Sequence, residues 1–222
     1  MKVIAINGSP RKQGNTAILL NKSLEGAKSK GAETEVIHLY DLDYKGCRSC
    51  YACKLKGGKS YGKCAIHDGL TPVLERINSA DALIMGSPIY LAMISGEMKS
   101  FLERFIYPYV SYATPYPSSL FPMNMPIGFI YTMGVNETNM RDRQYDWQIK
   151  ANQAILDFTF GKTEFLVVND TYMFDDYSKY VNVYDVNAKE KRRREVFPLD
   201  CQKAFDMGVR LATKRERINR QS

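Results

Sequence analysis

Two stretches of this chain carry residues spaced for chemistry. The first is Gly8-Ser9-Pro10-Arg11-Lys12-Gln13-Gly14-Asn15-Thr16. It lies between an apolar run and a helical pattern, where an open α/β sheet binds phosphate. Free amides at a helix start attract an anion. Ser9, Asn15 and Thr16 add hydrogen-bonding side chains, and Arg11 and Lys12 add charge. A Walker loop would need Gly-Lys-Ser/Thr after four residues; here five separate Gly8 from Gly14, and Asn15 stands in the lysine position. A dinucleotide fingerprint would need glycine at position 10, which is proline. The second stretch is Cys47-x2-Cys50-x2-Cys53-x10-Cys64. Three cysteines spaced by three can face one side of a turn, and a fourth can complete a four-thiolate site. Tetrahedral zinc, an iron–sulfur centre and free thiols are all open to such a set. With no export signal, the clustering argues against a disulfide scaffold.

The elements around these stretches alternate. Lys2–Asn7 reads as a buried strand and Thr16–Lys30 as a helix, with Asn15 at its N-cap and Gly31 as its stop. Glu33–Leu39 is a second strand. Tyr44–Asp68, polar and rich in glycine and cysteine, is a loop excursion with a short helical turn. Leu70–Ser79 is helical, Ala82–Ser87 a third strand, and Ser95–Arg104 the start of an amphipathic helix. Tyr107–Met123 is an ordered loop or lid. Pro126–Thr132 is a fourth strand, Tyr145–Phe160 a helix and Glu164–Val168 the last strand. Asn169–Phe197 is long and tyrosine-rich, and Leu199–Arg217 is a final helix. Alternating strands and helices imply a parallel sheet covered on both faces. Five strands suit the doubly wound order 2-1-3-4-5. The expectation is one α/β domain over residues 1–222, with a core of about 1–168 and a C-terminal extension of about 169–222.

Gly-Ser-Pro-Arg-x-x-Gly-Asn-Thr after an N-terminal strand resembles the NAD(P)H-dependent FMN reductase branch of the flavodoxin-like superfamily. The likeness is greatest to the iron–sulfur flavoproteins and their cluster-less relatives, and it runs through most of residues 1–168. The resemblance implies a flavodoxin-like three-layer fold and non-covalent FMN. Ser9, Arg11, Gly14, Asn15 and Thr16 would hold its phosphate. Pro88, Ile89 and Tyr90 would touch the ring or ribityl chain, and Thr132 and Gly134 would form a third flavin loop. Leu91-Ala92-Met93 departs from the aromatic and glycine often found there. The resemblance also implies NAD(P)H as a transient co-substrate over the flavin. Hydride delivery to a flavin needs no obligatory acid or base, so no side chain is assigned as catalytic. In iron–sulfur flavoproteins a comparable cysteine run holds a [4Fe–4S] cluster, and its fourth cysteine comes sooner than Cys64 does. A chain with such a cluster would serve as an electron carrier for a ferredoxin-like partner. The C-terminal extension of relatives helps subunits associate; Tyr172, Tyr177, Tyr180 and Tyr184 suit such a contact, and a homo-oligomer is expected.

Composition bounds the rest. Hydrophobic residues make up 45% of the 222, enough for a sizeable core. No run approaches a membrane span, and no signal-peptide pattern opens the chain, so a cytoplasmic protein is expected. The net charge of +7 is concentrated in the tail. Asn187–Ser222 holds 11 basic and 5 acidic residues. Nucleic acid is a poor match, because few aromatics interleave with the basic runs Lys189–Arg194 and Lys214–Arg220. A solvated helical face or a subunit contact is the expected role for those runs.

Overall fold

A computed structural model describes residues 1–113 and 118–213. The basic run Lys214–Arg220 lies outside the described residues.

The sheet has five parallel strands: β1 (Lys2–Asn7), β2 (Glu33–His38), β3 (Ala82–Tyr90), β4 (Ile127–Thr132) and β5 (Glu164–Val168). Their order is 2-1-3-4-5. Side chains alternate across the sheet, as period-2 geometry requires. Ile4, Ile6, Leu83, Met85, Phe129 and Tyr131 enter one core; Val3, Ala5, Ile84 and Ile130 enter the other. The first core is closed by α2 (Thr71–Asn78), α3 (Gly96–Ile106) and α5 (Tyr145–Phe160). The second is closed by α1 (Asn15–Lys28) and α7 (Phe197–Thr213). Two further helices, α4 (Glu137–Asp142) and α6 (Val186–Glu195), are not marked by apolar periodicity.

α1 and α7 approach each other through paired glycines. A Cβ on Gly208 would stand 1.8 Å from the Ser23 carbonyl oxygen, and one on Gly26 would stand 2.0 Å from that of Phe205. Both obstacles are backbone, so only a shift of the helices relieves the clash. Gly208→Ala is expected to destabilise the chain by at least about 1–3 kcal/mol despite the better helix propensity of alanine. Urea denaturation of the two forms checks this; equal stability would contradict the close crossing.

Three details differ from the sequence reading, each with a physical reason. Gly14, not Asn15, is the N-cap of α1 and offers no side-chain bond. Asn15 is the first helical residue, and its side chain is used elsewhere. β3 runs on through Pro88, which pairs with Thr132, and then folds back through Leu91-Ala92 onto a short antiparallel strand, Met93–Ile94. Both turn residues have positive φ (49° and 69°), as a two-residue hairpin turn of this kind demands. Within Tyr107–Met123, a 3-10 turn at Tyr107–Tyr109 leads into a small ribbon pairing Val110–Ser111 with Ser118–Ser119.

Candidate functional site

The carboxyl ends of β1, β3, β4 and β5 face one cleft, the position at which open α/β sheets bind ligands. Its volume is about 760 Å³, within the range of cofactor sites. All ten residues that the sequence nominated for the flavin line it: Ser9, Arg11, Gly14, Asn15, Thr16, Pro88, Ile89, Tyr90, Thr132 and Gly134.

The first loop is held rigidly from behind. The Gly8 amide donates to the Gly86 carbonyl at 2.8 Å. The Ser95 hydroxyl donates to the Gly8 carbonyl at 2.6 Å and accepts from the Met98 amide, so the cap of α3 is also the brace of the loop. The Ser9 amide donates to Asn7 Oδ1, and the Ser9 hydroxyl accepts from the Arg11 amide. The first bond within α1 runs from the Ile18 amide to the Gly14 carbonyl, and no side chain caps the amides before it. Those amides and the positive helix end make an anion cradle. Thr16 Oγ1 and Thr132 Oγ1 lie 2.7 Å apart and tie the first loop to the loop after β4. On the opposite wall, Pro88, Ile89 and Tyr90 present an apolar surface from the end of β3. Burial raises the Tyr90 phenol above its ordinary pKa, and the nearby Arg11 charge opposes the rise.

The cleft has a fourth wall that no local motif in the sequence marks. Thr171 to Asp175, after β5, line the cleft, and so does Arg193 from α6. Arg11 Nη1 donates to the Met173 carbonyl at 2.6 Å, and Asn15 Nδ2 to the Tyr172 carbonyl at 2.8 Å. Gly134 lets this segment pass, since a Cβ there would stand 2.1 Å from Met173 Sδ. The tyrosines of the extension pack within the chain. Tyr177 is buried and meets Tyr172 edge-on at 4.8 Å, while Phe174 stacks on Tyr180 at 4.3 Å.

The four cysteines come together away from this cleft. Cys47, Cys50, Cys53 and Cys64 line a cavity of about 20 Å³ beside Arg104, with room for roughly one water. Cys47 and Cys50 are exposed and Cys53 is buried. The Cys64 sulfur accepts from Arg104 Nε at 3.2 Å, and the Cys47 sulfur from the Ser49 amide at 3.5 Å. An Ala52 amide bond lowers the Cys50 pKa, and burial raises that of Cys53. Among the described residues, no three His, Cys, Asp or Glu side chains converge as metal ligands would. Cys201, partly buried on α7, packs against the second core.

Residues 1–147 match the family model for NADPH-dependent FMN reductases. The chain belongs to this family. Among individual relatives, it is 39% identical to an iron–sulfur flavoprotein of Methanocaldococcus jannaschii over 104 residues, 47% of this chain and 51% of that protein. It is 42% identical to an iron–sulfur flavoprotein of Archaeoglobus fulgidus over 104 residues, 47% of this chain and 48% of that one. The chain thus spans about half the length of the curated relatives it matches. An NAD(P)H:quinone oxidoreductase from Methanothermobacter marburgensis superposes with a TM-score of 0.69 at 15% identity, over 95% of this chain and 96% of that one. That likeness carries the flavodoxin-like fold. Among the described residues, no helix is long and apolar enough to cross a membrane.

Proposed function

We propose that this FMN reductase family member binds FMN in the cleft and acts as an NAD(P)H-dependent oxidoreductase toward a quinone- or flavin-type acceptor. The observation that carries the reading is the convergence of three loops on one cleft: an uncapped helix start with basic side chains, an apolar wall, and a hydroxyl- and amide-bearing loop after β4. FMN, when bound, supplies the two-electron chemistry. The chain's own work is to bind and orient. Ser9, Gly14, Asn15 and Thr16 cradle the phosphate, with Arg11 at the rim. Pro88, Ile89 and Tyr90 give the ring an apolar wall, and Thr132 and Gly134 border its far edge. The hairpin tip beyond Tyr90 leaves Leu91 97% exposed and Met93 half-exposed, an apolar rim suited to a second copy of the chain. A homo-oligomer with its sites near the subunit contact follows.

Steady-state oxidation of NADH and of NADPH, with a quinone, free flavin or dye as acceptor, tests the activity. Turnover with at least one nucleotide is expected; none with either would refute it. The electron-carrier alternative, with a [4Fe–4S] cluster and a ferredoxin-like partner, draws only on the cysteine spacing and the relatives' names. We read Cys47, Cys50, Cys53 and Cys64 as reduced thiols. Anaerobically purified protein is then expected to hold no stoichiometric iron; four irons per chain would restore the alternative.

A further inference from the structure

The basic helix α6 is only partly a solvated face. Lys189 and Arg193 are four residues apart and so share one side of the helix. Lys189 is buried; its Nζ donates to the Gly134 carbonyl at 2.6 Å and to the Asp170 carboxylate, and lies 4.7 Å from the Tyr184 ring centre. One turn on, Arg193 reaches the cleft. Its Nη1 donates to Asn15 Oδ1 at 2.9 Å, and its guanidinium lies 4.1 Å over the Phe197 ring. Arg192 points elsewhere and pairs with the buried Asp200 at 2.8 Å. Among the described residues, Arg193 takes part in no ion pair. A half-buried guanidinium therefore faces the anion cradle with one N–H spent on a neutral amide and its charge uncompensated. The ring of Phe197 fixes its plane, and the buried Lys189 fixes the helix that carries it.

We propose that Arg193 is a phosphate-binding residue: α6 presents its guanidinium to the FMN phosphate across the cradle from Arg11, so that bound FMN fastens the C-terminal extension to the core. This rests on the reading of the cleft as an FMN site. Guanidinium–phosphate bonds are charge-assisted and discriminate phosphate from a neutral group. The extension is thereby part of the cofactor site, although it lies beyond residues 1–147 that match the family model.

The test titrates FMN and riboflavin, which lacks the phosphate, into the full-length apo-protein and its Arg193→Gln, Arg193→Lys and Arg194→Gln variants. Arg194 is exposed on the same helix and controls for general charge. FMN affinity is expected to fall about 10–100-fold in Arg193→Gln, less in Arg193→Lys and not in Arg194→Gln, with riboflavin affinity unchanged throughout. Hydrogen exchange of residues 186–195 is expected to slow on adding FMN to the wild type but not on adding riboflavin. If Arg193→Gln proves unfolded by circular dichroism, Arg193→Lys and the wild-type exchange pattern decide alone. Equal losses for FMN and riboflavin, equal losses in the 193 and 194 variants, or exchange that ignores FMN would overturn the assignment. A wild type that binds neither flavin would instead overturn the FMN reading beneath it.

Discussion

Ser9→Asp is expected to lower FMN affinity by about 100–1,000-fold while leaving the fold intact. Ser9 is buried at the mouth of the cradle, and its hydroxyl accepts from the Arg11 amide. A carboxylate can accept the same bond, and the positive start of α1 favours a negative charge there. Folding is therefore preserved. The phosphate, however, must then enter beside a like charge. Two such charges about 4 Å apart repel by roughly 4 kcal/mol in a partly shielded site, close to a thousandfold in affinity. Riboflavin carries no phosphate and is expected to bind the variant much as it binds the wild type. Flavin fluorescence titrations read both affinities. Unchanged FMN binding would place the phosphate away from Ser9.

Arg104→Met is expected to cost about 3–5 kcal/mol of stability, or roughly 6–20 °C in Tm. The Arg104 side chain, on α3, is fully buried. It donates to Cys64 Sγ, to the carbonyls of Lys45 (3.1 Å) and Ile66 (3.2 Å), and to both Asp68 oxygens (2.5 and 3.1 Å). One guanidinium thus pins the cysteine loop to the core. Methionine fills the space but leaves a carboxylate and two carbonyls without it. The pH dependence adds a second signature. Burial pushes the Asp68 pKa up, but bonds from Arg104 and the Leu70 amide outweigh it, and the net position is below the ordinary carboxylate value. In the wild type this contribution is fully present above about pH 4, the unfolded carboxyl value, and is lost as pH falls through the lower folded pKa. Without Arg104 the Leu70 amide still donates to Asp68, but burial loses its strongest opponent and the Asp68 pKa moves up, so the variant's deficit is expected to shrink as the solution is acidified toward pH 4. Urea midpoints at pH 7 and near pH 4 measure it. A deficit that is constant with pH would contradict the pairing.

Much of the fold was legible because its signals are local. Lys2–Asn7, Tyr145–Phe160 and Glu164–Val168 have the bounds that their apolar runs and flanking glycines suggest. The cleft residues were legible for the same reason: each group lies at the carboxyl end of a strand or just past it, and doubly wound topology brings strand ends together. What escaped depends on contacts distant in sequence. Arg193 meets Asn15 across 178 positions, and nothing near Lys189–Arg194 marks a buried side, because the helix has no apolar stripe. Asn15 fits an N-cap by type, but Tyr172 and Arg193 claim its amide, and Gly14 takes the cap. Leu91-Ala92 lacks the Asn-Gly signal of a tight hairpin, so a sequence-level reading stops β3 at Ser87. Arg104 looks like the polar side of an amphipathic helix, and only the folded cysteine loop buries it.

Equilibrium titration of the apo-protein with FMN reports whether this cleft is an FMN site. Saturation at one FMN per chain is expected, with riboflavin binding more weakly by the contribution of the phosphate cradle. No FMN in the purified protein and no saturable rebinding of added FMN would contradict it.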